Sequence, residues 1–118
     1  MEQSIPTDVL LFIRRYIHRL ETLEVLALLH ATPGKTWSER EVSDALRSSP
    51  LAAAAALATL AGHGLIARDE YQFLFRPASV ELEQQTRRLL ACYKEKRTGV
   101  IAAIFAAPIA LRGGKPEG

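Results

Sequence analysis

The chain has 118 residues, of which 48% are apolar and 24% are charged, and its formal net charge is +2. This balance is typical of one globular domain and excludes a chain that is disordered throughout or collagen-like. It also excludes a disulfide scaffold, since Cys92 is the only cysteine. The longest uncharged apolar runs, 51–61 and 100–111, fall short of the roughly 18 residues that a membrane span needs. We therefore expect a cytoplasmic protein with no signal peptide and no membrane partner.

Two helices are predicted in the first third of the chain. The first covers residues 7–19, with Thr7 as its cap and Asp8 placed favourably against the helix dipole. The second begins at Leu20 and is apolar nearly all round, so we expect it at the centre of the domain. The run Thr-Pro-Gly-Lys at 32–35 ends this helix, because Pro and Gly together do not extend it.

Two successive helix caps give the strongest local signal in the sequence. Ser38 and Glu41 have the spacing of a capping box, which predicts a short helix after Ser38. Ser49 is a second cap, and Pro50 takes the first helical position, where its missing N–H costs nothing. A further helix then covers 51–63. Two helices joined by so short a turn predict a helix-turn-helix.

A short β-hairpin and a long helix are predicted in the last part of the chain. Strands at 65–68 and 71–76, joined at Asp69-Glu70, are indicated by alternation along the second strand, whose aromatic residues we expect in the core. A long helix follows over 79–107, and 112–118 is expected to be a flexible tail. The predicted fold is mainly α with a small β-hairpin.

The order of these elements resembles the winged helix-turn-helix domain of bacterial transcription regulators, including the MarR-like group. The resemblance covers residues 20–77 of a single domain of residues 1–111. It is carried by Trp-Ser-Glu-Arg-Glu-Val-Ser-Asp-Ala-Leu at 37–46 and Leu-Ala-Gly-His-Gly-Leu-Ile at 60–66. It implies that 38–46 is a positioning helix, that the next helix enters the major groove and that the hairpin is a wing. It also implies a homodimer built from the flanking helices.

This resemblance assigns residues to a contact with duplex DNA. The groove contacts would come from the outer face of the third helix and the phosphate contacts from exposed arginines. The groove set is Ser49, Ala52, Ala55, Thr59 and His63, and the phosphate set is Arg47, Arg68 and Arg76. Base edges are read best by Arg, Lys, Asn and Gln, yet none of these lies between Ser48 and Ala67. Residues 21–76 also hold five basic and seven acidic residues, a balance that weakens attraction to phosphate.

Other interpretations stay open at this stage. The Ala-rich third helix is also suited to a protein partner, which would make the chain an adaptor that does not bind DNA. The alanine run is equally explained by the high helix propensity of that residue. The soft ligands His18, His30, His63 and Cys92 lack metal-site spacing, and no nucleophile with a base can be assembled. We expect no enzyme activity, no metal and no cofactor.

Overall fold

The computed structural model describes residues 5–113, with side chains described as far as residue 106. The elements of this part of the chain are α1 (Thr7–Tyr16), α2 (Leu20–Ala31), β1 (Trp37–Ser38), α3 (Glu39–Leu46), α4 (Pro50–Gly62), β2 (Ala67–Asp69), β3 (Gln72–Leu74), α5 (Val80–Glu95) and α6 (Arg97–Gly113). The predicted fold class, mainly α with a small β-hairpin, is confirmed. The chain forms two compact units, a central unit of residues 21–86 and a second unit from the segments on either side.

The central unit contains a small antiparallel sheet with the strand order β1-β3-β2. Phe73 in the central strand β3 pairs with Trp37 of β1 on one side and with Arg68 of β2 on the other. The strand β1 was not predicted, because two residues are too few to show alternation. The hairpin lies slightly further along the chain than predicted, and Glu70 at its turn has a left-handed backbone with φ 59°.

Both predicted caps of the helix-turn-helix are confirmed. The Glu41 amide donates to Ser38 Oγ at 3.1 Å, and the Ser38 amide donates to Glu41 Oε1 at 2.9 Å. The Ala52 amide donates to Ser49 Oγ at 3.0 Å at the start of α4. These bonds satisfy amides that a helix N-terminus leaves without partners, which explains why α3 and α4 begin where the sequence predicts.

Gly64 ends α4 and turns the chain toward the hairpin. Its φ of 79° is left-handed, and the Leu65 amide donates back to the Leu60 carbonyl at 3.0 Å, as in a glycine C-cap. A Cβ at Gly64 would lie 3.2 Å from the Cβ of Ala78, whose amide donates to the Gly64 carbonyl at 2.8 Å. Both the backbone conformation and the close approach of Ala78 therefore favour glycine here.

The core of the central unit comes from α2, α4 and the segments that follow them. The side chains of Leu23, Leu26, Leu29, Leu57, Leu60 and Leu65 are fully buried. The prediction that α2 is the buried centre is confirmed, since five of its residues are buried. α4 buries one side only and leaves the other side exposed.

The second unit differs from the prediction in where its helices end. α1 ends at Tyr16 rather than 19, because Ile17 is extended, and its cap is Pro6 rather than Thr7, with no side-chain bond. The helix predicted over 79–107 is two helices separated at Lys96. The Lys96 amide still donates to the Cys92 carbonyl, and the Lys96 carbonyl still accepts from the Val100 amide. Helical hydrogen bonds therefore continue on both sides of the break. Of the predicted tail, 112 and 113 continue α6, and 114–118 lie outside the described residues.

An ion pair joins α1 to α5 in this second unit. Arg88 donates to both carboxylate oxygens of Asp8, from Nε at 2.5 Å and from Nη2 at 3.0 Å. The hydrogen bond from Arg88 lowers the pKa of the Asp8 carboxyl below its ordinary value. Both side chains are more than half exposed, so the pair orients the helices and adds little to stability.

Candidate nucleic-acid interface

The outer face of α4 carries the residues that the sequence assigned to a groove contact. Ala55, Thr59 and His63 are exposed, as is the cap Ser49, whereas Ala52 is half-buried. The opposite side of α4 is buried in the core through four residues: Ala53, Ala56, Leu57 and Leu60. The helix therefore has one inward and one outward side, as its 100° periodicity predicts.

The structure adds residues to this outer face that sequence reasoning missed. Leu51 is 82% exposed at the start of α4, and Ala58 is exposed as well. Together with Ala55 and Gly62 they follow a spacing of three and four residues, which places all four on one side of a helix. That spacing was visible in the sequence. We name the exposed side formed by Leu51, Ala55, Ala58, Thr59 and Gly62 the α4 outer face.

Arg47 lies in the turn between α3 and α4. Its side chain is exposed, and its backbone is left-handed with φ 55°, a conformation that favours glycine. The turn is fixed by the buried Ser43, whose hydroxyl donates to the Ser48 carbonyl at 2.6 Å. An arginine at such a position gives up backbone stability and places a positive charge beside the first turn of α4.

Replacing Arg47 by glycine should raise the free energy of unfolding by about 0.5–1 kcal/mol, because glycine adopts this φ without strain. Urea denaturation of the variant and of the unmodified protein measures this change. Arg47→Ala keeps the strain, so it should not raise stability. Lower stability for Arg47→Gly than for Arg47→Ala would contradict this account of the turn.

The hairpin brings two further basic residues to the surface of the central unit. Arg68 Nε donates to the Glu70 carbonyl at 3.0 Å, and its guanidinium carbon lies 5.6 Å from the centre of the Phe73 ring. Arg76 is exposed just after β3. The prediction that the aromatic residues of this strand are in the core is wrong for Tyr71, which is 82% exposed because it lies in the turn.

Carboxylates accompany these arginines on the surface. Glu39, Asp44, Asp69 and Glu70 are all exposed in the central unit, and the Glu41 carboxylate is engaged in the capping box. The exposed arginines of the central unit are therefore accompanied by exposed acidic residues, which weaken its attraction to phosphate.

The remaining polar groups form no metal-binding cluster in the described part of the chain. No group of three His, Cys, Asp or Glu side chains there lies close enough to hold a metal ion. Cys92 is half-buried, and burial raises the pKa of its thiol, which lowers the fraction of reactive thiolate.

Within residues 5–113, no helix combines the length and the apolar character that crossing a membrane requires.

The comparisons with known proteins found no matching family model, no matching curated protein and no matching solved structure.

Proposed function

We propose that the protein is a cytoplasmic winged-helix protein that binds duplex DNA and regulates transcription. The observation that carries this proposal is the order of the central unit: α3, a three-residue turn, α4 and then an antiparallel hairpin. In this arrangement α4 enters the major groove with its outer face toward the bases. The hairpin is the wing, and Arg47, Arg68 and Arg76 contact phosphates.

The α4 outer face limits how such a protein reads a sequence. The methyl groups of this face contact thymine methyls. The few polar contacts to base edges come from Thr59 and from His63, which caps the end of α4. Phosphate contacts position a protein on DNA without reading its sequence. We therefore propose a protein whose affinity comes mainly from the backbone and whose direct readout is weak.

The salt dependence of binding to a random-sequence duplex tests this function. With three phosphate contacts, one bound protomer should give a slope of log K against log salt of about −2.7, and a dimer with both protomers on the duplex should give about twice that slope. Between roughly 50 and 200 mM salt, affinity should drop about fortyfold for one protomer and by the square of that factor for the dimer. Fluorescence anisotropy with a labelled duplex measures the slope, and absence of binding at the lower salt concentration would reject the proposal.

A second function, a protein-interaction adaptor, is favoured by one observation. The exposed Leu51 lies at the start of an outer face made otherwise of alanines, one threonine and one glycine, which a partner helix can approach closely. An adaptor would show no duplex binding at either salt concentration. Ala58→Arg would instead abolish its binding to a purified partner, whereas the added positive charge should tighten binding to DNA.

We also propose that the protein is a homodimer through α1 and α6, which pack together in the second unit. Leu11 on α1 and Phe105 on α6 are 56% and 60% exposed, and the run 100–111 contains no charged residue. A second copy would remove these apolar side chains from water. The dimer would also present two copies of the central unit to the DNA.

Light scattering after size exclusion should give twice the chain mass of 13.0 kDa for the unmodified protein. Phe105→Glu should shift the protein to the monomer, because it places a charge in the apolar contact. Val80→Glu is a matched control, since Val80 is 67% exposed on α5 and lies in the central unit. A monomer for the unmodified chain at micromolar concentration would exclude this dimer.

A further inference from the structure

A groove of about 270 Å³ opens on the central unit beside the start of α3 and the hairpin. Its lining combines two cations, one carboxylate and two aromatic rings. The residues are Ser38, Glu39, Arg40, Arg68, Tyr71 and Phe73. None of them belongs to the α4 outer face, and Arg68 is the one residue that this groove shares with the proposed phosphate contacts to duplex DNA.

The two cations of this groove are arranged to hold an anion. Arg68 is fixed from two sides by its bond to the Glu70 carbonyl and by the Phe73 ring, which leaves its terminal amino groups to donate. Arg40 is exposed in the first turn of α3, where the helix N-terminus adds partial positive charge. A guanidinium held in one orientation loses little freedom when it binds phosphate.

The two aromatic rings differ in exposure. Phe73 is 3% exposed and forms a buried part of the lining, whereas Tyr71 is 82% exposed. An exposed ring beside guanidinium groups is the combination that proteins use to stack a base while they hold its phosphate. The core of the central unit does not need Tyr71, so its packing does not explain an aromatic residue here.

We propose that this groove binds a nucleotide, with Arg40 and Arg68 on the phosphate and Tyr71 stacked on the base. The volume is just below the roughly 300 Å³ at which pockets for drug-sized ligands begin, which suits one phosphate and one ring. Glu39 repels the phosphate and keeps the affinity modest. The nucleotide comes either from solution or from an unpaired position in a single strand.

NMR titration of the ¹⁵N-labelled full chain with deoxyadenosine 5′-monophosphate tests the proposal. Amide shifts should centre on residues 39–41 and 68–73, and binding should be at least about fivefold tighter than that of inorganic phosphate. A single-stranded oligonucleotide identifies the source: tighter binding than the mononucleotide indicates a strand, and equal binding per nucleotide indicates a free ligand. Absence of shifts in these segments would overturn the proposal.

Variants separate the parts of the site. Arg40→Ala and Arg68→Ala should each weaken binding about tenfold, and Glu39→Gln should strengthen it. Tyr71→Phe should bind normally, whereas Tyr71→Ala should bind the nucleotide no better than phosphate. Arg14→Ala, an exposed arginine of the second unit to which no phosphate contact is assigned, is the control. Unchanged affinity in Arg40→Ala and Arg68→Ala, or a normal preference for the nucleotide in Tyr71→Ala, would refute the site. Neither outcome depends on duplex binding.

Discussion

Replacing Leu57 by alanine is expected to lower the free energy of unfolding by about 2–5 kcal/mol. Leu57 is fully buried on the inner side of α4, so the shorter side chain leaves a cavity in the core of the central unit. Urea denaturation followed by far-UV circular dichroism measures the change. Leu60 of the same helix is also fully buried, so Leu60→Ala should cause a loss in the same range.

The same helix offers a control with the same chemistry. Leu51 is 82% exposed, so Leu51→Ala removes the same atoms without opening a cavity and should change stability by less than about 0.5 kcal/mol. The contrast depends only on which way α4 faces. Equal losses of stability for the two variants would mean that the outer face is covered, and both proposed functions would then lose their surface.

The double variant Arg68→Ala/Arg76→Ala is expected to weaken duplex binding about tenfold or more at low salt. It removes two of the three proposed phosphate contacts of each protomer, so the salt slope should become shallower by about 1.8 for each protomer bound. Titration by fluorescence anisotropy at several salt concentrations gives both quantities. The slope is the more informative, because it reports the number of phosphates contacted rather than the affinity alone.

Arg14→Ala/Arg19→Ala is the matched control, since both residues are exposed in the second unit and the loss of positive charge is the same. If affinity depended only on net charge, the two double variants would weaken binding equally. We expect the control to keep the original slope. A slope that stays unchanged in Arg68→Ala/Arg76→Ala would remove the hairpin from the interface.

Much of the central unit was predictable because its signals are local. The capping box of Ser38 and Glu41, the cap at Ser49 and the exit at Gly64 each depend on a few neighbouring residues. The inward and outward sides of α4 followed from helical periodicity over thirteen residues. These features need no knowledge of distant parts of the chain.

The missed features depend on pairing and on small backbone changes. β1 exists because Trp37 and Ser38 pair with β3, more than thirty residues away, and two residues carry no periodicity of their own. The helix break lies at Lys96, three residues before Gly99, where the sequence suggests a kink, and the hydrogen bonds on either side of Lys96 are kept. Tyr71 was assigned to the core because the hairpin turn was placed one residue too early.

The candidate site was predictable in part for related reasons. Helical spacing predicted the exposure of Ala55 and Thr59, but the groove that contains Arg40 and Arg68 forms only when α3 and the hairpin come together. The left-handed conformation of Arg47 was also hidden, because arginine gives no sign of positive φ in a sequence. Tertiary placement therefore decides which basic residues share one site.

NMR shift mapping with duplex DNA shows whether α4 and the hairpin form the binding surface. We expect a random-sequence duplex to shift the amides of Arg47, of the α4 outer face and of Arg68 through Arg76, while the amides of α2 stay unchanged. Shifts confined to α1 and α6, or unchanged α4 and hairpin amides with excess duplex at low salt, would contradict it.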